Sequence, residues 1–154
     1  MELRALGATG INVSVLGLGT VKLGRDQEVK YPQGFKIPDD AAVCDLLALT
    51  RDLGINFIDT APAYGNSEER LGQLLDNSND WVIMTKVGEI FENGKSAFDF
   101  TAAHTRMSVE RSLKRLKRDF LDMVLVHSDG NDLSLIHISE PTRQDTRSRM
   151  PASA

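Results

Sequence analysis

Polar and apolar positions alternate over residues 2–6 and again over 12–15, with Gly7-Ala8-Thr9-Gly10 between them. That pattern predicts a small β-hairpin. Leu16-Gly17-Leu18-Gly19-Thr20 follows as an apolar, glycine-spaced strand, and glycines in a strand mark the close approach of another backbone or a ligand. Residues 22–38 read as a polar loop. Asp39 suits an N-cap, and Val43, Leu46, Leu47 and Leu53 then fall at helical spacing up to Gly54, a natural stop. Residues 55–58 form a buried-strand run that ends at Asp59, before a turn with Pro62 and Gly65. Asn66 and Glu69 are spaced as a capping box for a short helix carrying Leu71, Leu74 and Leu75. Residues 81–84 predict a strand ending at Thr85-Lys86, and 88–99 a loop. Thr101 can cap a helix with Ala102, Val109, Leu113 and Leu116 on one face. Residues 120–126 predict a last strand, ending at His127.

Apolar strands alternating with amphipathic helices predict a parallel sheet covered by helices. A doubly wound sheet and a (β/α)8 barrel both satisfy this spacing. Three successive strands end in an ionisable residue, Asp59, Lys86 and His127, and Tyr64 lies just after the first. Parallel strands in α/β folds gather their C-terminal ends, where sites form. The four side chains are therefore expected in one pocket.

Their chemistry is specific. A tyrosine hydroxyl, with an ordinary pKa near ~10, is a poor acid at neutral pH, and a neighbouring ammonium lowers that value. A carboxylate keeps the lysine charged and in place, and an imidazole can orient a substrate oxygen. Such a set can protonate a carbonyl oxygen while hydride reaches the carbon. No side chain supplies hydride, so a nicotinamide or flavin is implied. Gly17-Leu18-Gly19-Thr20-Val21-Lys22 lacks the third glycine of the dinucleotide fingerprint and is no phosphate loop.

At this point the motifs resemble a known family. Asn56-Phe57-Ile58-Asp59-Thr60-Ala61-Pro62-Ala63-Tyr64-Gly65, with Ser67-Glu68-Glu69 and Leu71-Gly72, is similar to the signature of the aldo-keto reductases. Leu6-Gly7-Ala8-Thr9-Gly10, the strand ending at Thr20, the Thr85-Lys86 strand end and residues 122–127 match in order. The resemblance covers residues 1 to about 132. It implies the N-terminal half of a (β/α)8 TIM barrel with a β-hairpin closing the bottom. It implies NADPH-dependent reduction of a small aldehyde or ketone, and the reverse. Tyr64 would be the general acid, Lys86 and Asp59 would tune it, and His127 would orient the carbonyl. Gly19, Thr20 and Val21, with Asp59, would line the nicotinamide end. The family binds its dinucleotide without a Rossmann fold, which agrees with the missing fingerprint. Two segments depart from the family pattern, Ser128-Asp129-Gly130 and the loop holding Tyr31-Pro32-Gln33-Gly34-Phe35, and both bear on the substrate.

Composition narrows the alternatives. The chain has 154 residues, one cysteine and a net charge of −4. Cys44 alone excludes an internal disulfide framework and a cysteine-based zinc cluster, and with no signal peptide or apolar span in the sequence it points to the cytoplasm. Cys44 itself reads as a packed core residue, His104 as a helix-surface residue, and Trp81 as core or barrel rim. Arg106, Arg111, Lys114, Arg115, Lys117 and Arg118 read as the solvated face and last turn of a helix rather than a nucleic-acid footprint.

The end of the sequence differs from the rest. Leu133-Ser134-Leu135-Ile136-His137-Ile138-Ser139-Glu140-Pro141-Thr142-Arg143 resembles a translated transposase-type sequencing adapter, and Arg147-Ser148-Arg149-Met150-Pro151 its distal end in another frame. Residues 1–132 are thus expected to be native and 133–154 a non-native tail. Removing the tail from 18 basic and 22 acidic residues leaves 15 and 20, a net of −5. A barrel needs eight strand–helix units, about 250 residues; four strands are present. In the family, the adenine and phosphate end of the cofactor is held after the last two strands. The fragment is expected to be marginally stable and inactive. Two rival readings are a cofactor-binding regulatory or channel-subunit-like relative with little turnover, and a doubly wound ligand-binding domain.

Overall fold

Four parallel strands in chain order organise the molecule. The computed structural model describes residues 1–130 except 30, 32, 76–79 and 129. The elements are β1 (Leu3–Ala5), β2 (Asn12–Ser14), β3 (Gly17–Gly19), α1 (Val21–Gly24), α2 (Asp40–Asp52), β4 (Phe57–Asp59), α3 (Ser67–Leu74), β5 (Val82–Val87), β6 (Glu89–Glu92), β7 (Lys95–Phe98), α4 (Ala102–Leu116) and β8 (Met123–Val126). The main sheet runs β3-β4-β5-β8, every pair parallel. A doubly wound sheet reverses its strand order at a switch point. Here the order never reverses, which is the arrangement of successive βα units in an arc of a (β/α)8 barrel.

β1 and β2 form the antiparallel hairpin that alternation predicts. It is tied to the start of β4: Asn56 accepts at Oδ1 from Ser14 N (2.8 Å), donates from Nδ2 to Asn12 O (3.1 Å), and its backbone N–H donates to Ser14 Oγ (3.1 Å). The hairpin therefore sits at the N-terminal, bottom end of the sheet.

The core lies between sheet and helices. Leu23, Val43, Leu47, Ile58, Leu71, Trp81, Ile83 and Leu116 form one buried cluster. Asp39 caps α2 as expected, its side chain accepting from Ala42 N at 2.9 Å. Thr101 likewise caps α4, accepting from His104 N. Among the described residues, no helix is long and apolar enough to cross a membrane.

Several sequence expectations are corrected. Residues 88–99 are not a plain loop: β6 and β7 pair as an antiparallel hairpin around Asn93-Gly94, both at positive φ (51° and 74°), the conformation a tight hairpin turn requires. The Asn66–Glu69 capping box does not form. Asn66 makes no side-chain cap bond, and Glu69 instead pairs with Arg115 Nε at 2.9 Å. The start of the 22–38 loop is a helical turn, α1, which begins at Val21. Leu53 is exposed, because α2 ends at Asp52 and turns away there. The last strand starts at Met123, leaving Phe120 exposed.

Cys44 is exposed, not packed, whereas His104 is buried. The second error follows from the rotation of α4. Its buried stripe is His104, Ser108, Ser112 and Leu116, at i, i+4, i+8 and i+12, rather than the apolar positions 102, 109 and 113. Small residues win that face because α3 comes close: a Cβ on Gly72 would lie 2.0 Å from Arg115 O. Residues 133–154 lie outside the described residues.

Candidate active site

Strand register brings the C-terminal ends together. Gly19 is opposite Asp59, and Lys86 is opposite Leu125. Beyond the ladders, Thr60 N donates to Met84 O (2.8 Å) and His127 N to Val87 O (2.7 Å). Alternation along β5 then sorts its side chains. Thr85 Oγ1 donates to Glu68 of α3 at 2.7 Å, so Ile83 and Thr85 face the helices. Met84 and Lys86 face the other way, into the concave side.

All four sequence-predicted catalytic side chains meet there. The Lys86 ammonium, 12% exposed, donates to Asp59 Oδ1, to Thr60 O at 3.1 Å and to Tyr64 Oη at 3.1 Å. The same ammonium lies 4.8 Å from the Tyr64 ring centroid. The His127 ring stands edge-on to Tyr64, centroids 5.9 Å apart at 90°. A cation donating into the phenol oxygen leaves the phenol's own proton free to be given elsewhere. It also sets positive charge beside the oxygen that becomes negative when that proton leaves.

The three positions expected to line a nicotinamide divide. Gly19 is exposed, and a Cβ there would meet nothing within 4 Å. Val21 is half-buried at the start of α1. Thr20 is wholly buried: its hydroxyl donates to Asp59 O (2.9 Å) and accepts from Ser67 Oγ (2.9 Å), which contacts Thr60 Oγ1 at 3.2 Å. Thr20 thus ties β3 to β4 and α3 rather than offering surface.

Sequence reading missed Glu89 and Arg25. Glu89 opens the unforeseen hairpin, and its carboxylate is buried. Oε1 accepts from Arg25 Nη1 (3.0 Å) and Ser96 Oγ (2.6 Å). Oε2 lies 2.9 Å from His127 Nδ1, a close contact bent off the N–H direction, and Nδ1 has no other partner among the described residues. Burial alone would raise the Glu89 carboxyl from 4.5. The close approach and charge of His127, with the hydrogen bonds from Ser96 and Arg25, outweigh it and hold it at about 2. The signal available was Asn93-Gly94, which predicts a hairpin pairing Ser96 with Phe91 and so placing Ser96 diagonally from Glu89 on the same face.

Two recesses, of about 210 and 320 Å³, share Arg51 and Trp81. The larger is lined by Gly54 and Asn56 at the bottom of the sheet, the end opposite the quartet.

Comparison with known proteins bears on this geometry. The model of the Aldo/keto reductase family matches residues 15–142. The chain belongs to that family. L-galactose dehydrogenase of Arabidopsis thaliana is 40% identical over 133 residues, covering 82% of this chain and 38% of that protein. A crystal structure assigned to the aldo-keto reductases, from Pseudomonas aeruginosa, superposes with a TM-score of 0.79 at 60% identity, over 93% of this chain and 54% of that one. The holo form of an aldo-keto reductase from Bacillus halodurans gives a TM-score of 0.69 at 29% identity, over 94% and 47%. The chain thus spans about two-fifths of the curated relative and about half of the solved structures. The family is a class of NAD(P)-dependent oxidoreductases, and the sheet described here is part of its barrel.

Proposed function

We propose that this chain supplies the acid–base half of a reductase that converts small aldehydes or ketones to alcohols, and the reverse, with NADPH. The observation that carries the reading is Lys86 donating at 3.1 Å to Tyr64 while bound to Asp59, with His127 beside the phenol. A cofactor-binding relative with little turnover has no need of this convergence of acid, cation and imidazole.

The residues present fit a nicotinamide. Gly19 leaves open space at the strand end, and Asp59 and Lys86 border it with polar atoms. Gly19, Val21 and Asp59 would hold that end of the cofactor, with Thr20 fixing the strand that carries them. Bound NADPH would supply hydride to the carbonyl carbon. Tyr64 gives its proton to the carbonyl oxygen, and Lys86 stabilises the charge left on the phenol oxygen. Asp59 holds Lys86 in reach, and His127 orients the substrate oxygen. Most of the cofactor would be held beyond the four strands described here.

On the same reading the protein works in the cytoplasm, residues 1–132 are native, and 133–154 are not. The family match runs to residue 142, so genomic DNA across the codons for 133–142 is the test of that boundary. For the function, the experiment is aldehyde-dependent oxidation of NADPH by the full-length protein. Steady turnover supports the reading, and cofactor binding without turnover supports the regulatory alternative.

A further inference from the structure

The Glu89 carboxylate is 8% exposed and cannot readily swing. Ser96 and Arg25 hold Oε1. Arg25 is itself fixed by donating to Gln27 O and Ala63 O, and its guanidinium lies 3.5 Å from the Phe91 ring centroid. Oε2 is left facing His127 Nδ1 at 2.9 Å. With the carboxyl held at about 2, Glu89 is ionised at any working pH and only accepts. A carboxylate this close to Nδ1 favours the ring form with hydrogen there even off the N–H direction, since its charge attracts an N–H dipole and repels a lone pair. In a neutral imidazole, a proton on one nitrogen leaves a lone pair on the other. Nδ1 is buried, yet the ring keeps 25% of its surface exposed, so Nε2 is the nitrogen left to meet a ligand.

We propose that Glu89 is a positioning residue that assigns the His127 proton to Nδ1, so that Nε2 accepts when the ring is neutral and donates only when it is imidazolium. The catalytic consequence rests on the carbonyl-reductase reading; the tautomer does not. An alcohol hydroxyl donates and suits the neutral ring. A carbonyl oxygen only accepts and needs the imidazolium. The neutral Nδ1–H ring therefore offers a carbonyl no donor at Nε2 and offers an alcohol hydroxyl an acceptor. Among the described residues, the charged groups around the ring are Glu89 on β6, Arg25 behind it, and Lys86 on β5 with Asp59 on β4, both reached through Tyr64.

The test is 15N NMR of histidine-labelled full-length protein, with His127 assigned by the signals lost in His127→Asn. At a pH where the ring is neutral, the wild type should show a protonated Nδ1 and an unprotonated Nε2. Glu89→Gln, whose amide can donate to Nδ1, should shift population to the Nε2–H form. The pH profiles of aldehyde kcat/KM should diverge, Glu89→Gln keeping at least about threefold more of its activity toward alkaline pH than the wild type. A wild-type ring protonated on Nε2 overturns the proposal, whether or not Glu89→Gln folds; so do parallel pH profiles for the two proteins. A proton found on Nδ1 in a protein that turns over no carbonyl upholds this assignment and counts against the reductase reading alone.

Discussion

Lys86 donates to the phenol oxygen of Tyr64 across 3.1 Å while its charge is matched by Asp59. One ammonium thus does two things, holding the phenol in place and setting a positive charge beside it. Lys86→Met should leave the fold intact, because the methionine chain fills the same half-buried slot. It should lower kcat for carbonyl reduction by on the order of 10²-fold, as loss of one preorganised donor does. Stopped-flow single-turnover kinetics on the full-length protein would check this. A variant within twofold of wild type contradicts the role.

Glu89 makes an acid-stability prediction with a definite sign. Its carboxyl is lowered from 4.5 to about 2 in the folded protein. A lowered acid contributes stability that is present above its unfolded value and lost as pH falls through the folded one. The window is therefore pH 4.5 to 2, and the contribution is about 3 kcal/mol. Urea denaturation of full-length wild type and Glu89→Gln across that window should show the wild type losing its advantage toward pH 2. A constant difference contradicts the shift.

Gly72 marks a close contact between α3 and α4. A Cβ there would meet backbone, Arg115 O at 2.0 Å and Leu116 C at 2.8 Å, so α3 and α4 would have to part. Gly72→Ala should cost about 1–3 kcal/mol, the range for overpacking a tight contact. Gly34→Ala, with nothing within 4 Å and no positive φ, is the matched control and should change stability little. Equal midpoints in denaturant for the two variants would refute the close approach.

The candidate quartet was legible because its signal is local: Asp59, Lys86 and His127 lie at the ends of apolar strands, Tyr64 follows the first, and parallel strands share an end. The alternation also gave the β1–β2 hairpin and the four parallel strands, and their unreversed order then chose the barrel. What was not legible depends on distance in sequence or on rotation. Glu89 acquires its role from Arg25, 64 residues away, and from Ser96, seven away across a turn. The stripe His104, Ser108, Ser112, Leu116 is the buried side of α4, and Gly72 lets α3 approach its C-terminal end, neither of which a hydrophobic pattern reports. Leu53 and Cys44 erred for a simpler reason: spacing fixes which residues share a face, while the end of α2 and its neighbours decide which face is covered.

Among the described residues, β8 is an outer strand of the main sheet, with no partner beyond it. β8 leaves Val124, Leu125 and Val126 at 37%, 42% and 50% exposure, and a strand edge with apolar side chains is a template for pairing with other chains. Size-exclusion chromatography should find the 154-residue chain aggregated, and NADPH fluorescence titration should find no binding up to tens of micromolar, in the typical range of enzyme affinities. Micromolar binding by a monomer would contradict this. Ending the chain at residue 132 should change neither result.

On the proposed reading, Tyr64 protonates a carbonyl oxygen in an NADPH-dependent reduction. Its most direct test is aldehyde-dependent NADPH oxidation by the full-length protein and its Tyr64→Phe variant, with cofactor binding followed in parallel. The wild type should turn over, and Tyr64→Phe should lose about 10²–10⁴-fold in kcat with NADPH affinity unchanged. Unchanged turnover in Tyr64→Phe would contradict that reading.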